Sequence, residues 1–275
     1  MVNLIIDGKN VTAKKDMAVL EAARAAGINI PTLCAHESVS RSGACRLCVV
    51  EIKKGNRTRI VNSCLYAVEE GLIVDTKSER VQNVRRLVME LLLARCPESE
   101  VLQKLAKELG FDTQPRFVAD TDKGKCILCR SCVRVCEEVV GVNAIGLSGR
   151  GSHKTVGPPY NENSDVCIGC GACAYVCPTG HIEMETTENK RKIWGRTFKM
   201  QTCDTCGRYF APVDQLKYIS KKTGVPLKDL SICMDCRLKL FPSSLVVRVT
   251  LWRDYSPRRS IGISHSPTFV KLDFF

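Results

Sequence analysis

Several features are scarce or missing in this sequence of 275 residues. It has no apolar run of about eighteen residues, the length a helix needs to cross a bilayer. Its most apolar stretch, LVMELLLA, is interrupted by Glu90, so a soluble protein without a membrane span is expected. It has no glycine-rich loop of the GxGxxG or GxxxxGKT kind, which excludes the common cradles for nucleotide phosphates. Its histidines, His36, His153, His181 and His265, stand apart, with no spacing that suggests ligation or catalysis. The opening MVNLIIDGKN lacks the basic, apolar and small-residue regions of a secretory leader, so a cytoplasmic location is expected and a disulfide framework is disfavoured. Acidic residues are also outnumbered: 29 against 41 lysines and arginines, a formal net charge of +12. The excess concentrates in KGNRTR, KRKIWGRTFK and RDYSPRR. It favours acidic partners, or compensates bound anionic centres, or is simply a solvated surface.

Cysteine is what the chain has in abundance. There are 17, and all but Cys96 fall into four groups with short, repeating gaps. Cysteines two residues apart bridge poorly to each other, whereas that gap lets both thiolates reach one metal. Metal ligation is therefore the expected role.

The first group sits in a segment with several strand and helix signals. In NLIIDGKNVTA the Asp7-Gly8 pair separates two short β-type runs, a hairpin signal. Asp16 is placed to cap a helix with the body MAVLEAARAAG, which stops at Gly27. A loop after Pro31 carries Cys34, Cys45 and Cys48. It leads into the strand-like CVVEIK, a Gly55-Asn56 turn and RIVNSC, which delivers Cys64. Three thiolates from one loop and a fourth from a distant strand suit a [2Fe-2S] cluster on a small β-grasp domain. Gly43 and Ala44 allow backbone amides to approach sulfide closely.

Next, ERVQNVRRLVMELLLARC places Val81, Val84, Leu87, Val88, Leu91 and Leu92 at helical spacing, predicting a core-facing stripe with the arginines on the surface. A shorter helix from Ser99, a candidate cap, ends at Gly110. Cys96 reads as core packing.

Two runs share one spacing: CILCRSCVRVC gives Cys126, Cys129, Cys132 and Cys136, and CIGCGACAYVCPTG gives Cys167, Cys170, Cys173 and Cys177. Three cysteines at gaps of two can wrap one iron-sulfur cube, and Gly169, Gly171 and Ala172 again suit close backbone approach. Finally, CDTC and CMDC supply Cys203, Cys206, Cys233 and Cys236, with a helix expected in PVDQLKYISKKTG, stopping at Gly224. Two such pairs suit structural zinc, and a further [4Fe-4S] cluster is the rival. LVVRVTLW reads as a strand, followed by a polar docking or disordered tail.

On these cysteine runs, residues 1 to about 180 resemble the N-terminal part of the large iron-sulfur subunit of complex I and the diaphorase-type iron-sulfur subunits of NAD-linked hydrogenases and formate dehydrogenases. The duplicated run resembles two-cluster bacterial ferredoxins, in which each fourth cysteine crosses to the partner cluster. That resemblance implies one [4Fe-4S] cluster on Cys126, Cys129, Cys132 and Cys177, and another on Cys167, Cys170, Cys173 and Cys136. The [2Fe-2S] ligands would be Cys34, Cys45, Cys48 and Cys64. The complex I relatives carry an additional cluster in the connecting region, bound by one histidine and three cysteines. No histidine lies between His36 and His153 here, so that cluster is expected to be absent.

The implied fold is α+β. It comprises a [2Fe-2S] β-grasp domain over 1–78, a helical connector over 79–118, a two-[4Fe-4S] ferredoxin domain over 119–186, a ribbon-like four-cysteine module over 187–241 and a tail over 242–275. The implied role is a non-catalytic subunit that relays single electrons between a flavin/NAD(P)H-binding subunit and a catalytic metal-containing or ferredoxin-linked partner. The charge leaves two alternatives. One is a basic zinc-ribbon protein that binds nucleic acid and uses its clusters structurally or as redox sensors. The other is a free-standing ferredoxin, which the basic charge disfavours.

Overall fold

The computed structural model describes residues 1–111, 116–118 and 124–240. They form two compact units: Met1–Cys167 with Gly171–Glu185 and Ile193–Arg196, and Ile168–Cys170 with Thr186–Lys192 and the chain from Thr197 onward. The expected tail and LVVRVTLW lie outside the described residues.

In the first unit, β1 (Val2–Ile6) and β2 (Lys9–Ala13) form the expected hairpin. Asp7 and Gly8 both take positive φ, 49° and 79°, as the tight hairpin turn requires. The other strands are β3 (Val49–Lys54), β4 (Arg57–Asn62) and β5 (Leu72–Asp75), and the sheet order is β2-β1-β5-β3-β4. The β1 and β5 strands are parallel and the remaining pairs antiparallel, so the sheet is mixed. Alternate residues Leu4, Ile6, Val50, Ile52, Leu72 and Val74 are buried with Val19, Leu20, Ala22 and Ala23 of helix α1 (Val19–Ala25) in one apolar core. Each large side chain among them stabilises by about 1.5–3 kcal/mol.

Asp16 does not cap α1. It lies in a turn at φ 73°, and the Ala18 N–H instead donates to the Glu21 carboxylate at 3.1 Å. Asp16 is two residues too early for its side chain to meet the first helical amides.

Helix α2 (Glu79–Arg95) packs on β3, and α3 (Glu100–Glu108) packs on α2. Of the expected stripe on α2, Val81 is buried and Val88 and Leu92 pack against the core, but Leu87 and Leu91 remain 41% and 49% exposed, and Arg85, expected at the surface, is buried with Met89. The Arg85 guanidinium finds backbone acceptors in the interior, at the middle of an i, i+4, i+8 face. Ser99 occupies the cap position of α3, but its hydroxyl makes no capping bond. Cys96 is fully buried with Met89, Leu102 and Ala106.

Helix α4 (Ser131–Arg134) continues into a π-helical turn, Val135–Val140, and faces the short helix α5 (Ala172–Tyr175). A two-stranded ribbon pairs β6 (Gly146–Ser148) with β7 (Thr155–Gly157). A four-stranded sheet of order β11-β10-β9-β8 comprises β8 (Met184–Thr186), β9 (Lys190–Ile193), β10 (Arg196–Thr202) and β11 (Tyr209–Pro212). It is followed by α6 (Val213–Thr223), which ends at Gly224 with φ 75°, as expected, and by α7 (Met234–Leu240). No described helix is long and apolar enough to cross a membrane.

Candidate metal centres

The loop between α1 and β3 brings Cys34, Cys45 and Cys48 to the end of β4, where Cys64 lies, and all four are buried. Glycine suits position 43 here. Its φ is +60°, and a Cβ would come within 2.6 Å of Leu65 Cδ1. The Cys45 N–H donates to Cys34 Sγ at 3.4 Å, and the Leu33 N–H to Cys45 Sγ at 3.5 Å. The thiols associate in two pairs. The bond with Cys34 brings Cys45 down to about 5 and pushes Cys34 up, and the bond with Cys64 brings Cys48 down to about 7 and pushes Cys64 up. Ser63 anchors the site by donating to the Cys48 carbonyl from both N–H and hydroxyl, at 3.0 and 2.7 Å.

Cys126, Cys129, Cys132 and Cys177 line one pocket together with Ile127, Ile182 and His181. The Cys132 thiol is pushed up, first by burial and then by the charges of Cys129, Cys173, Cys177 and Cys126. Cys177 therefore lies with the first run's leading cysteines, although it closes the second run. Cys136 is presented by the π-helical turn. Its Sγ accepts from the Ala144 N–H at 3.3 Å, and its carbonyl accepts from Gly141 and Val142 at 2.9 and 3.1 Å. Trp194 Nε1 donates to Cys173 Sγ at 3.3 Å, and Arg196 donates to the Cys167 carbonyl at 3.0 Å. Arg191 holds the Gly169 and Cys170 carbonyls, at 3.1 and 3.2 Å.

The duplication is visible in the backbone. Leu128 and Arg130 have φ of 54° and 62°, and the equivalent Gly169 and Gly171 have 66° and 82°. The cysteine loop imposes the left-handed turns in both copies, since the first copy adopts them with side chains that ordinarily avoid that region. What Gly169 specifically provides is space: a Cβ there would meet the Phe198 ring at 2.6 Å.

Cys203, Cys206, Cys233 and Cys236 form a tighter group, with all four sulfurs within 4.8 Å of one another and Cys206 to Cys233 at 3.8 Å. Gly207, at φ 70°, closes the first knuckle by donating to the Cys203 carbonyl at 2.8 Å. Burial alone would raise the Cys203 thiol, but the N–H groups of Cys233, Cys206 and Thr205 bring it down to about 6. Arg208 donates to Cys233 Sγ at 3.5 Å and pairs with Asp235.

A family model described as a 2Fe-2S iron-sulfur cluster binding domain matches residues 1–79. One described as a 4Fe-4S dicluster domain matches residues 125–181 and again 166–210. In the solved structure of an NAD+-reducing [NiFe]-hydrogenase in the H2-reduced state, a chain 31% identical superposes with a TM-score of 0.57, covering 66% of this chain and 86% of that one. The chain belongs to the complex I-like iron-sulfur subunit family. The NADPH-Fe(3+) oxidoreductase subunit alpha of Geobacter sulfurreducens is 35% identical over 247 residues, 82% of this chain but 28% of that protein. The NADP-reducing hydrogenase subunit HndD of Solidesulfovibrio fructosivorans is 33% identical, covering 66% of this chain and 36% of its own length. The 78 kDa subunit of Neurospora crassa NADH-ubiquinone oxidoreductase is 31% identical, with 70% and 29% covered. The chain thus spans about a third of the length of these curated family members or less.

Several residues around the sites were not visible in the spacing. Arg85, Arg95, Arg134 and Trp194 each bond to a cysteine, to an immediate neighbour of one or to a cysteine-bearing loop. Arg95, for example, donates to the Cys126 carbonyl at 3.0 Å. Arg134 alone sits inside a cysteine run, where its position offered a signal. His181, read from the sequence as unconnected to any site, lines the Cys126 pocket.

Proposed function

We propose that this subunit relays single electrons between a flavin/NAD(P)H-linked subunit and a redox partner subunit of hydrogenase, formate dehydrogenase or ferredoxin-reducing type. The observation that carries the reading is the buried cluster shared by Cys34, Cys45, Leu47, Met89, Cys96, Ile127 and Cys129. Thiols from two separate cysteine groups meet in one apolar core, which excludes water between them.

The ligand sets fit the expected groups. Paired thiols Cys34 with Cys45 and Cys48 with Cys64 suit the two irons of a [2Fe-2S] cluster. The pocket supports a [4Fe-4S] set of Cys126, Cys129, Cys132 and Cys177, which leaves Cys136 to complete the set of Cys167, Cys170 and Cys173. When bound, such clusters supply reversible one-electron chemistry. The protein's part is to hold the thiolates, direct N–H donors at sulfur and keep solvent out.

At the last group we assign zinc. A tetrahedral ion with bonds of about 2.3 Å holds its sulfurs about 3.8 Å apart, as found between Cys206 and Cys233. An iron-sulfide cube would spread four thiolates to about 6 Å, wider than the 4.8 Å limit of this group.

Anaerobic metal analysis with a dithionite titration followed by EPR tests the reading. About ten irons and one zinc per chain are expected, counting two irons and four irons per cluster type. About fourteen irons without zinc would overturn the zinc assignment. Co-purification with a flavin subunit is expected; salt-sensitive tight binding to DNA in its place would favour the nucleic-acid reading.

A further inference from the structure

Arg134 is 7% exposed and lies on α4 between Cys132 and Cys136. Its Nη2 donates to the Cys34 carbonyl at 3.3 Å and to Ser131 Oγ at 3.2 Å. It therefore joins the backbone of a thiol in the first cysteine group to the helix of another. Its Nε and Nη1 are buried with no hydrogen-bond partner, and no ion pair is formed with it among the described residues. A buried, permanently charged guanidinium with two unused donors needs an anionic partner. Iron-sulfur clusters supply one, since four thiolates around iron and sulfide carry net negative charge.

We infer that Arg134 is the internal counter-charge shared by the centre on Cys34, Cys45, Cys48 and Cys64 and the adjoining centre on Cys126, Cys129, Cys132 and Cys177. It raises the reduction potential of both by stabilising the more negative, reduced state. Its unused Nε–H and Nη1–H remain available to that anionic charge. This rests on the ligand sets proposed above.

The test compares Arg134→Lys, Arg134→Gln and Arg134→Met with the parent protein in EPR-monitored redox titrations, with iron and sulfide determined on each. If the parent lacks a reducible [2Fe-2S] signal, the ligand reading fails and the inference falls with it. If the signal is present, the neutral variants are expected to disfavour reduction of that centre tenfold to hundredfold. That is a fall of about 60–120 mV at 59 mV per tenfold for one electron. Arg134→Lys keeps the charge and should stay within about threefold of the parent, or roughly 30 mV on the same scale. Neutral variants with full iron and an unmoved potential overturn the inference, as do Lys and neutral variants that shift alike. If the neutral variants fail to hold iron, retention of iron at the parent potential by Arg134→Lys supports the counter-charge. Loss of iron in all three shows a role in packing only and overturns it.

Discussion

Arg85→Met tests how the [2Fe-2S] loop is supported. Arg85 is 3% exposed, and it donates from Nε to the Leu47 carbonyl at 3.1 Å and from Nη2 to the Val49 carbonyl at 2.8 Å. These carbonyls flank Cys48. Hydrogen bonds from a charged donor contribute about 1.5–3 kcal/mol each, and removing the donor leaves two buried acceptors unmatched. Against this, methionine spares the cost of burying a guanidinium and fills most of its volume. The balance is a loss of about 3 kcal/mol, from two bonds near the middle of that range less a partial desolvation gain. With a urea slope of about 2 kcal/mol/M, the midpoint falls by about 1.5 M. The assay follows cluster visible absorbance through an anaerobic urea titration of the full chain, with Arg80→Met as the control. Arg80 pairs with Glu51 at 2.5 Å, but its side chain is 62% exposed, so its loss should cost about 0–1 kcal/mol. Equal midpoints for the two variants would refute the argument that the buried fork holds the loop. Arg85→Lys, which keeps charge but reaches one carbonyl at a time, should fall between them.

Three further outcomes are expected. Cys206→Ser should release zinc while leaving iron content and visible absorbance unchanged; parallel loss of about four irons would instead identify a cubane there. Cys177→Ser should damage the centre nucleated by Cys126, Cys129 and Cys132, and Cys136→Ser that of Cys167, Cys170 and Cys173. EPR spectra in which each substitution removed only its own run's signal would overturn the crossed assignment. Gly169→Ala combines a strained φ of +66° with a Cβ 2.6 Å from the Phe198 ring, and should cost about 2–3 kcal/mol. Pairing it with Phe198→Leu should recover part of that loss in thermal unfolding, and no recovery would place the cost elsewhere.

The sequence by itself determined the cysteine groups, their order and the kind of centre each suits. A gap of two residues limits how far neighbouring sulfurs can separate, so local spacing carries ligand geometry whatever the surrounding fold. It also determined the Asp7-Gly8 hairpin and the stop of α6 at Gly224, because both depend on backbone freedom at single residues. Tertiary structure decided what long-range neighbours impose. Arg85 is interior because the Leu47 and Val49 carbonyls await it, and the buried face of α2 keeps Val81, Val88 and Leu92 but leaves Leu87 and Leu91 outside. Cys177 joins the pocket of the first run because α4 and α5 face each other, which spacing within either run does not encode. Trp194 reaches Cys173 from twenty-one residues away, and Arg134 reaches Cys34 across a hundred. Buried donors and charges take their partners from whatever folding brings beside them, so these contacts became legible only in three dimensions.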